Sequence, residues 1–166
     1  IEDSFKDGLR NIKEQANRIS IIREVSRERG IHLVINARID CFIQNSAVSK
    51  MEKTESTINR AKAYLEAGAD CVFPVGIDDI EIVKDIRRVI SAPINILVLP
   101  EQLTLSEMKG IGINRFSYGP FIFRSLLKKF TEIIDELSEF GRTDCLKGNM
   151  LNYEKTQQYL RGVTES

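Results

Sequence analysis

No apolar run in this 166-residue chain approaches the roughly 20 residues that cross a bilayer, so no membrane segment is expected. The start, Ile1-Glu2-Asp3-Ser4, has neither the basic end nor the apolar core of a secretory leader. Charge of one sign is missing as well. The 24 basic residues balance 24 acidic ones, which leaves no electrostatic footprint for nucleic acid. Cysteine is scarce: Cys41, Cys71 and Cys145 are an odd set, widely spaced and without metal-like pairing, and fit reduced thiols in a cytoplasmic protein. Neither G-x-G-x-x-G nor a Walker motif occurs, which weakens a nucleotide-binding reading. What is left, 42% hydrophobic and 29% charged, is the composition of one ordinary globular domain.

The most informative stretch present is His32-Leu33-Val34-Ile35-Asn36-Ala37-Arg38-Ile39-Asp40. An apolar run that ends in an amide, a guanidinium and a carboxylate predicts a strand over 31–37, covered on both faces, with polar groups at its carboxyl end. Parallel α/β folds place their sites there. The planar fork of Arg38 suits a carboxylate or a phosphate. Without further information, a structural salt bridge is as good an account of that arginine.

Periodicity supplies the rest of the order. Ile12, Ala16, Ile19, Ile22 and Val25 share a helical face that closes at Arg29-Gly30. Ser46–Lys53 reads as a polar loop, Thr54–Ala67 as a helix ending at Gly68, and Ala69–Phe73 as a buried strand ended by Pro74 and Gly76. Asp78 and Glu81 form a capping box for a helix carrying Ile82, Val83, Ile86, Val89 and Ile90. Ile94–Leu99 is a third strand. Thr104 and Glu107 repeat the capping box before a short helix that stops at Gly110, and Asn114–Ser117 is a fourth strand. A long amphipathic helix follows, with Leu126, Leu127, Phe130, Ile133, Ile134 and Leu137 inward, then a polar tail with a short helix near Asn152–Leu160.

Helices alternating with strands on short connections mean βα units and a parallel sheet, either doubly wound or a (β/α)-barrel. Polar, Gly or Pro signals follow each strand, at Asn36–Asp40, Pro74–Asp79, Pro100-Glu101 and Tyr118-Gly119-Pro120, as a barrel rim requires. A complete barrel takes about 250 residues. Four strands make roughly half of one.

Several ordered blocks carry a resemblance: Ile1-Glu2-Asp3-Ser4, Asn36-Ala37-Arg38-Ile39-Asp40, Tyr64–Phe73, Pro93–Leu97, Leu105–Met108 and Arg115–Pro120. Over residues 1 to about 130 the chain resembles the isocitrate lyase and phosphoenolpyruvate mutase superfamily. The resemblance implies a (β/α)8 TIM barrel of which this chain covers roughly strands 5–8, the Ile1-Glu2-Asp3 start matching the end of strand 4. It implies Mg²⁺ (or Mn²⁺), a small anionic 2-oxo-acid or phosphonate substrate, and an enolate-like intermediate. Arg38 is then the catalytic and substrate-binding cation, Asn95 and Ser117 are further substrate contacts, Asp40 steadies Arg38 from behind, and Glu2 reaches the metal through water. The acidic metal ligands would lie on strands this chain lacks, so residues 1–166 are expected to bind metal poorly and to be catalytically incomplete. The alternative is a non-catalytic half-barrel or anion-binding module that works by association. Residues 1–140 are expected to form the barrel portion and 141–166 a helical tail exchanged between subunits of a homo-oligomer. Two departures narrow the group to its phosphonomutase-like branch. The loop Ser4–Arg10 lacks the Cys and His of isocitrate lyases, and Phe73-Pro74-Val75 lacks the carboxylate found there in methylisocitrate lyases.

Overall fold

The computed structural model describes residues 1–44, 47–100, 104–148 and 150–161. Expectations for Ser46 and Glu101, and for the end of the tail past 161, lie outside them. Contacts group the chain into two units, Ile1–Gly119 and a second starting at Pro120.

The first unit opens with a hairpin, β1 (Ser4–Phe5) against β2 (Gly8–Leu9), turned through Lys6 in the left-handed region at φ 52°. Four helices, each followed by a parallel strand, come next. Helix α1 (Ile12–Glu28) leads to β3 (Asn36–Ile39), α2 (Lys50–Glu66) to β4 (Cys71–Pro74), α3 (Ile80–Val89) to β5 (Asn95–Leu97), and α4 (Leu105–Ile111) to β6 (Arg115–Ser117). β3 pairs with β4 and β5 with β6, both parallel, and the bridge Val72↔Ile94 joins the two pairs. A further parallel bridge sets Glu2 beside Arg38. Strand order in space therefore follows strand order in sequence, the winding of a barrel; a doubly wound sheet would reverse it.

One face of this sheet is the core. Ala37, Ile39, Val72, Ile94 and Ile96 are buried beneath the helices with Ile19, Ala61, Ile82, Val83 and Ile86. The register leaves Asn36, Arg38, Phe73, Asn95, Arg115 and Ser117 on the opposite face.

Several boundaries correct the expectations. The first strand begins at Asn36, and Ile31, Leu33 and Val34 are exposed. Only the end of 31–35, Ile35, bonds β4, through a carbonyl that accepts from the Asp70 and Cys71 N–H groups at 2.9 and 3.2 Å. Before it, Arg23 donates to the Leu33 carbonyl at 2.9 Å, and the Asp70 carboxylate accepts from the Ile35 N–H at 2.6 Å. Helix α2 starts at Lys50 because Ser49 and Glu52 form a capping box, which shortens the expected loop. Asp79, one residue after the expected Asp78, caps α3; Asp78 instead ion-pairs with Lys50 at 3.2 Å. The Thr104–Glu107 box is present as expected, but α4 runs past Gly110 to Ile111 and is capped by Gly112, whose φ of 92° suits a residue without a Cβ. Val25 and Val89 are exposed on their helices.

The second unit holds α5 (Phe121–Phe140), a 3₁₀ turn (Asp144–Leu146) and α6 (Tyr153–Arg161). None of the residues of α5 is buried, and Leu126, Leu127, Phe130 and Ile134 are exposed. No described helix is long and apolar enough to cross a membrane.

Candidate functional site

Three of the residues singled out in the sequence meet at the carboxyl end of β3. The Arg38 guanidinium donates through Nε to Asp40 Oδ1 at 2.7 Å and lies 3.0 Å, through Nη1, from Glu2 Oε2. Nη2 has no partner among the described residues, and the side chain keeps 36% of its exposure. Burial works against the charged guanidinium, yet the hydrogen bond and charge of Asp40, with Glu2 and Asp3 behind, outweigh it and raise the Arg38 pKa above its ordinary value. The cation is therefore permanent, held on two edges and open on the third.

Asp40 is buried, and its second oxygen takes a short hydrogen bond from the Ser4 hydroxyl on the hairpin. Its main-chain N–H donates at 3.0 Å to Asp3 Oδ1. Asp3 is fully buried, and its other oxygen accepts from Arg60 Nη1 at 3.0 Å and from the Tyr64 hydroxyl at 2.8 Å. Arg60 Nη1 also lies 2.9 Å from both the Tyr64 hydroxyl and the Arg10 carbonyl. Desolvation, then the Asp3 charge, pushes the Tyr64 hydroxyl well above its ordinary value of 10.0, so it is a permanent donor. For Arg60, burial opposes the charge, and Tyr64 and Asp3 more than compensate, so its pKa is raised.

Asp3, Ser4, Arg60 and Tyr64 were missed as site residues. One signal was available: Arg60 and Tyr64 stand four apart on the α2 stripe that also carries Thr57 and Ala61, all four buried. An arginine on an apolar stripe needs a buried acid opposite it.

Asn95 and Ser117 come together, but with each other. The Ser117 hydroxyl donates at 3.0 Å to Asn95 Oδ1 across the β5–β6 pair, and Asn95 is buried. Neither has a hydrogen bond to the Arg38 cluster. A cleft of about 550 Å³ lies on their face of the sheet, lined among others by Glu2, Asn36, Arg38, Phe73 and Arg115 over an apolar wall of Ile22, Val34 and Ile35. The Asn36 carboxamide oxygen has no partner there. His32 is exposed ahead of β3, and Arg124 is exposed in the first turn of α5.

A cation shell is not built from these residues. Among the described residues no group of three or more His, Cys, Asp or Glu could hold a metal ion. Asp3 and Asp40 are buried and already accept from protein donors, so Glu2, 53% exposed and itself paired with Arg38, is the one carboxylate open to the cleft. The five charges in contact here, Glu2, Asp3, Asp40, Arg38 and Arg60, sum to one negative charge.

The model of the family described as phosphoenolpyruvate phosphomutase matches residues 1–138. The chain belongs to that family. It is 33% identical over 119 residues to an uncharacterized protein of Mycobacterium tuberculosis, Rv1998c of strain H37Rv, covering 72% of this chain and 43% of that one. It is 25% identical over 130 residues to a 2-methylisocitrate lyase of Aeropyrum pernix, covering 75% and 42%. The chain thus spans less than half the length of these curated relatives. A solved structure from Burkholderia cenocepacia, provisionally assigned as a phosphonomutase, superposes with TM-score 0.76 at 29% identity, covering 82% of this chain and 56% of the other. Two more remote structures share the fold. One is a 2,3-dimethylmalate lyase (TM-score 0.77, 21% identity, 99% and 55% covered). The other is a phosphonopyruvate hydrolase complexed with oxalate and Mg²⁺ (TM-score 0.72, 18% identity, 98% and 60% covered). The superfamily around this chain is one of lyases and mutases with a TIM-barrel-like α/β architecture.

Proposed function

We propose that residues 1–166 are the C-terminal portion, strands 5–8, of a Mg²⁺-dependent lyase or phosphonomutase-like enzyme that acts on a small 2-oxo acid or phosphonate through an enolate-like intermediate. The observation that carries this reading is the state of Arg38, a permanent cation held on two edges by Asp40 and Glu2, with Nη2 left over at the mouth of a cleft. Such a fork can grip a carboxylate or phosphoryl group and offset the charge that grows as a C–C or C–P bond breaks. Ser117 and Asn95 would bound the substrate on the far side, Asn95 through its side-chain N–H, with its oxygen held by the Ser117 hydroxyl. Asp40 takes no part beyond aiming Arg38.

The metal ligands are the part residues 1–166 do not supply. The one open carboxylate, Glu2, would meet the ion through water, and the remaining ligands would come from sequence beyond this chain. The absence of a cysteine and a histidine in the β1–β2 hairpin, and Val75 after Pro74, favour small oxo acids and phosphonates over tricarboxylates.

The test uses the full-length natural protein with Mg²⁺ against a panel of phosphonopyruvate, oxaloacetate and substituted malates. Turnover of one of them is expected, with Arg38→Ala lowering kcat/KM by at least about a hundredfold, the scale of one lost charge-stabilising donor. Turnover that survives Arg38→Ala in a folded protein removes the arginine from the site. Oxalate binding without turnover of any substrate would favour the anion-binding module instead.

A further inference from the structure

We propose that Asp3, Arg60 and Tyr64 are positioning residues that set the aim of Arg38, and that helix α2 thereby controls how tightly the site grips its anion. The inference rests on the anion-gripping role of Arg38 given above. An arginine side chain loses rotamer entropy when it is held in one place, so a pre-aimed guanidinium binds better than a loose one. Two carboxylates fix Arg38, and Asp3 governs both. It is the chain neighbour of Glu2, and it accepts the Asp40 main-chain N–H at 3.0 Å just where the chain leaves β3. Asp3 in turn is clamped from α2 by Arg60 at 3.0 Å and Tyr64 at 2.8 Å. Every polar atom along the path from Tyr64 to Asp40 is buried, so water offers no substitute partner. Arg60 and Tyr64 reach from α2 to Asp3 and are not among the residues that line the cleft of Arg38. Their effect must pass through the carboxylates.

A double-mutant cycle on oxalate affinity decides the matter. Oxalate is titrated calorimetrically, in the presence of Mg²⁺, into full-length protein carrying Tyr64→Phe, Arg38→Lys or both. If Tyr64 acts through Arg38, Tyr64→Phe raises the Kd about fivefold in the wild-type background and less than about twofold beside Arg38→Lys. Ile86→Val serves as the structural control: it loosens the same core and lowers Tm without moving the Kd. Equal factors in both backgrounds, or an unchanged Kd in folded Tyr64→Phe, overturn the inference while leaving the reading of Arg38 intact. Should Tyr64→Phe not fold, Arg60→Lys takes its place in the same cycle with the same outcomes. Wild-type protein that binds no oxalate at all removes the anion-gripping role itself, and this inference with it.

Discussion

Two arginine–aspartate pairs tie helices to the parallel strands, one at each end, and they behave differently. At the carboxyl end, Arg60 and Asp3 are sealed from water, and Asp3 hands its constraint on to Asp40 and Arg38. At the amino end, Arg23 meets Asp70 with the aspartate 36% exposed. There Arg23 also donates to the Gly68 carbonyl at 2.8 and 3.0 Å and to the Leu33 carbonyl, so its bonds end on loop backbone and lead nowhere else. The same two residue types thus serve a site at one end and a scaffold at the other. Burial and onward connection distinguish them; the chemistry of the pair does not.

The sharpest way to break the comparison is Asp3→Ala. It leaves the buried Arg60 guanidinium without its counter-charge and the Asp40 N–H without an acceptor. The expected loss is about 3–5 kcal/mol of unfolding free energy, the scale for breaking a buried pair from one side. The urea midpoint at neutral pH measures it. A loss no larger than that of an exposed pair would mean water reaches Arg60, and the two ends would be equivalent.

Tyr64→Phe probes the same cluster more gently. The hydroxyl donates to an ionised carboxylate, a bond worth about 1.5–3 kcal/mol, and Asp3 keeps Arg60 when it is gone. The pH dependence is more telling than the size. The Tyr64 pKa is raised in the folded protein, first by burial and then by Asp3. Its contribution is therefore complete below the ordinary tyrosine value of 10.0 and is lost as pH climbs above it toward the folded value. Wild-type stability should fall more steeply than that of Tyr64→Phe in alkaline urea titrations above that pH. Parallel curves would mean that the hydroxyl ionises freely and is not sealed.

How much of this could be read in the sequence follows the same division. The βα alternation, the Thr104–Glu107 cap and the Glu2–Arg38–Asp40 grouping depend on local pattern, or on a motif whose members lie close along the chain or pair across one bridge. The Asp3–Arg60–Tyr64 clamp was not legible, because it joins positions 57 and 61 residues apart and becomes visible only once α2 is packed on the sheet. The start of β3 was misread for a related reason. Apolar residues 31–35 have the composition of a strand, but β4 reaches back only as far as the Ile35 carbonyl, and before it Arg23, Ser26 and Asp70 side chains satisfy the backbone. Asn95 and Ser117 were read as rim contacts to substrate; that they bond each other needed the β5–β6 register. The apolar stripe of α5 was legible as a pattern, since periodicity shows which face is apolar and not what covers it.

The smallest effect belongs to the amino-end pair. Asp70 is lowered below its ordinary value of 3.8: burial opposes the shift, and the Ile35 N–H and Arg23 overcome it. A depressed carboxylate stabilises the fold above its ordinary value and loses that contribution as pH falls through its folded value. Asp70→Asn keeps an oxygen for the Ile35 N–H and removes only the charge. At neutral pH it should cost about 0.5 kcal/mol, the scale of a partly exposed pair in water, and less in high salt. As pH falls below 3.8 the wild-type carboxylate takes up its proton, and the wild-type and Asn curves should converge. A cost as large as that of Asp3→Ala, or one indifferent to salt and acid, would show that the amino-end pair is as sealed as the other. Exposure would then fail as the property that separates site from scaffold in this fold, and onward connection to Arg38 would have to carry the distinction alone.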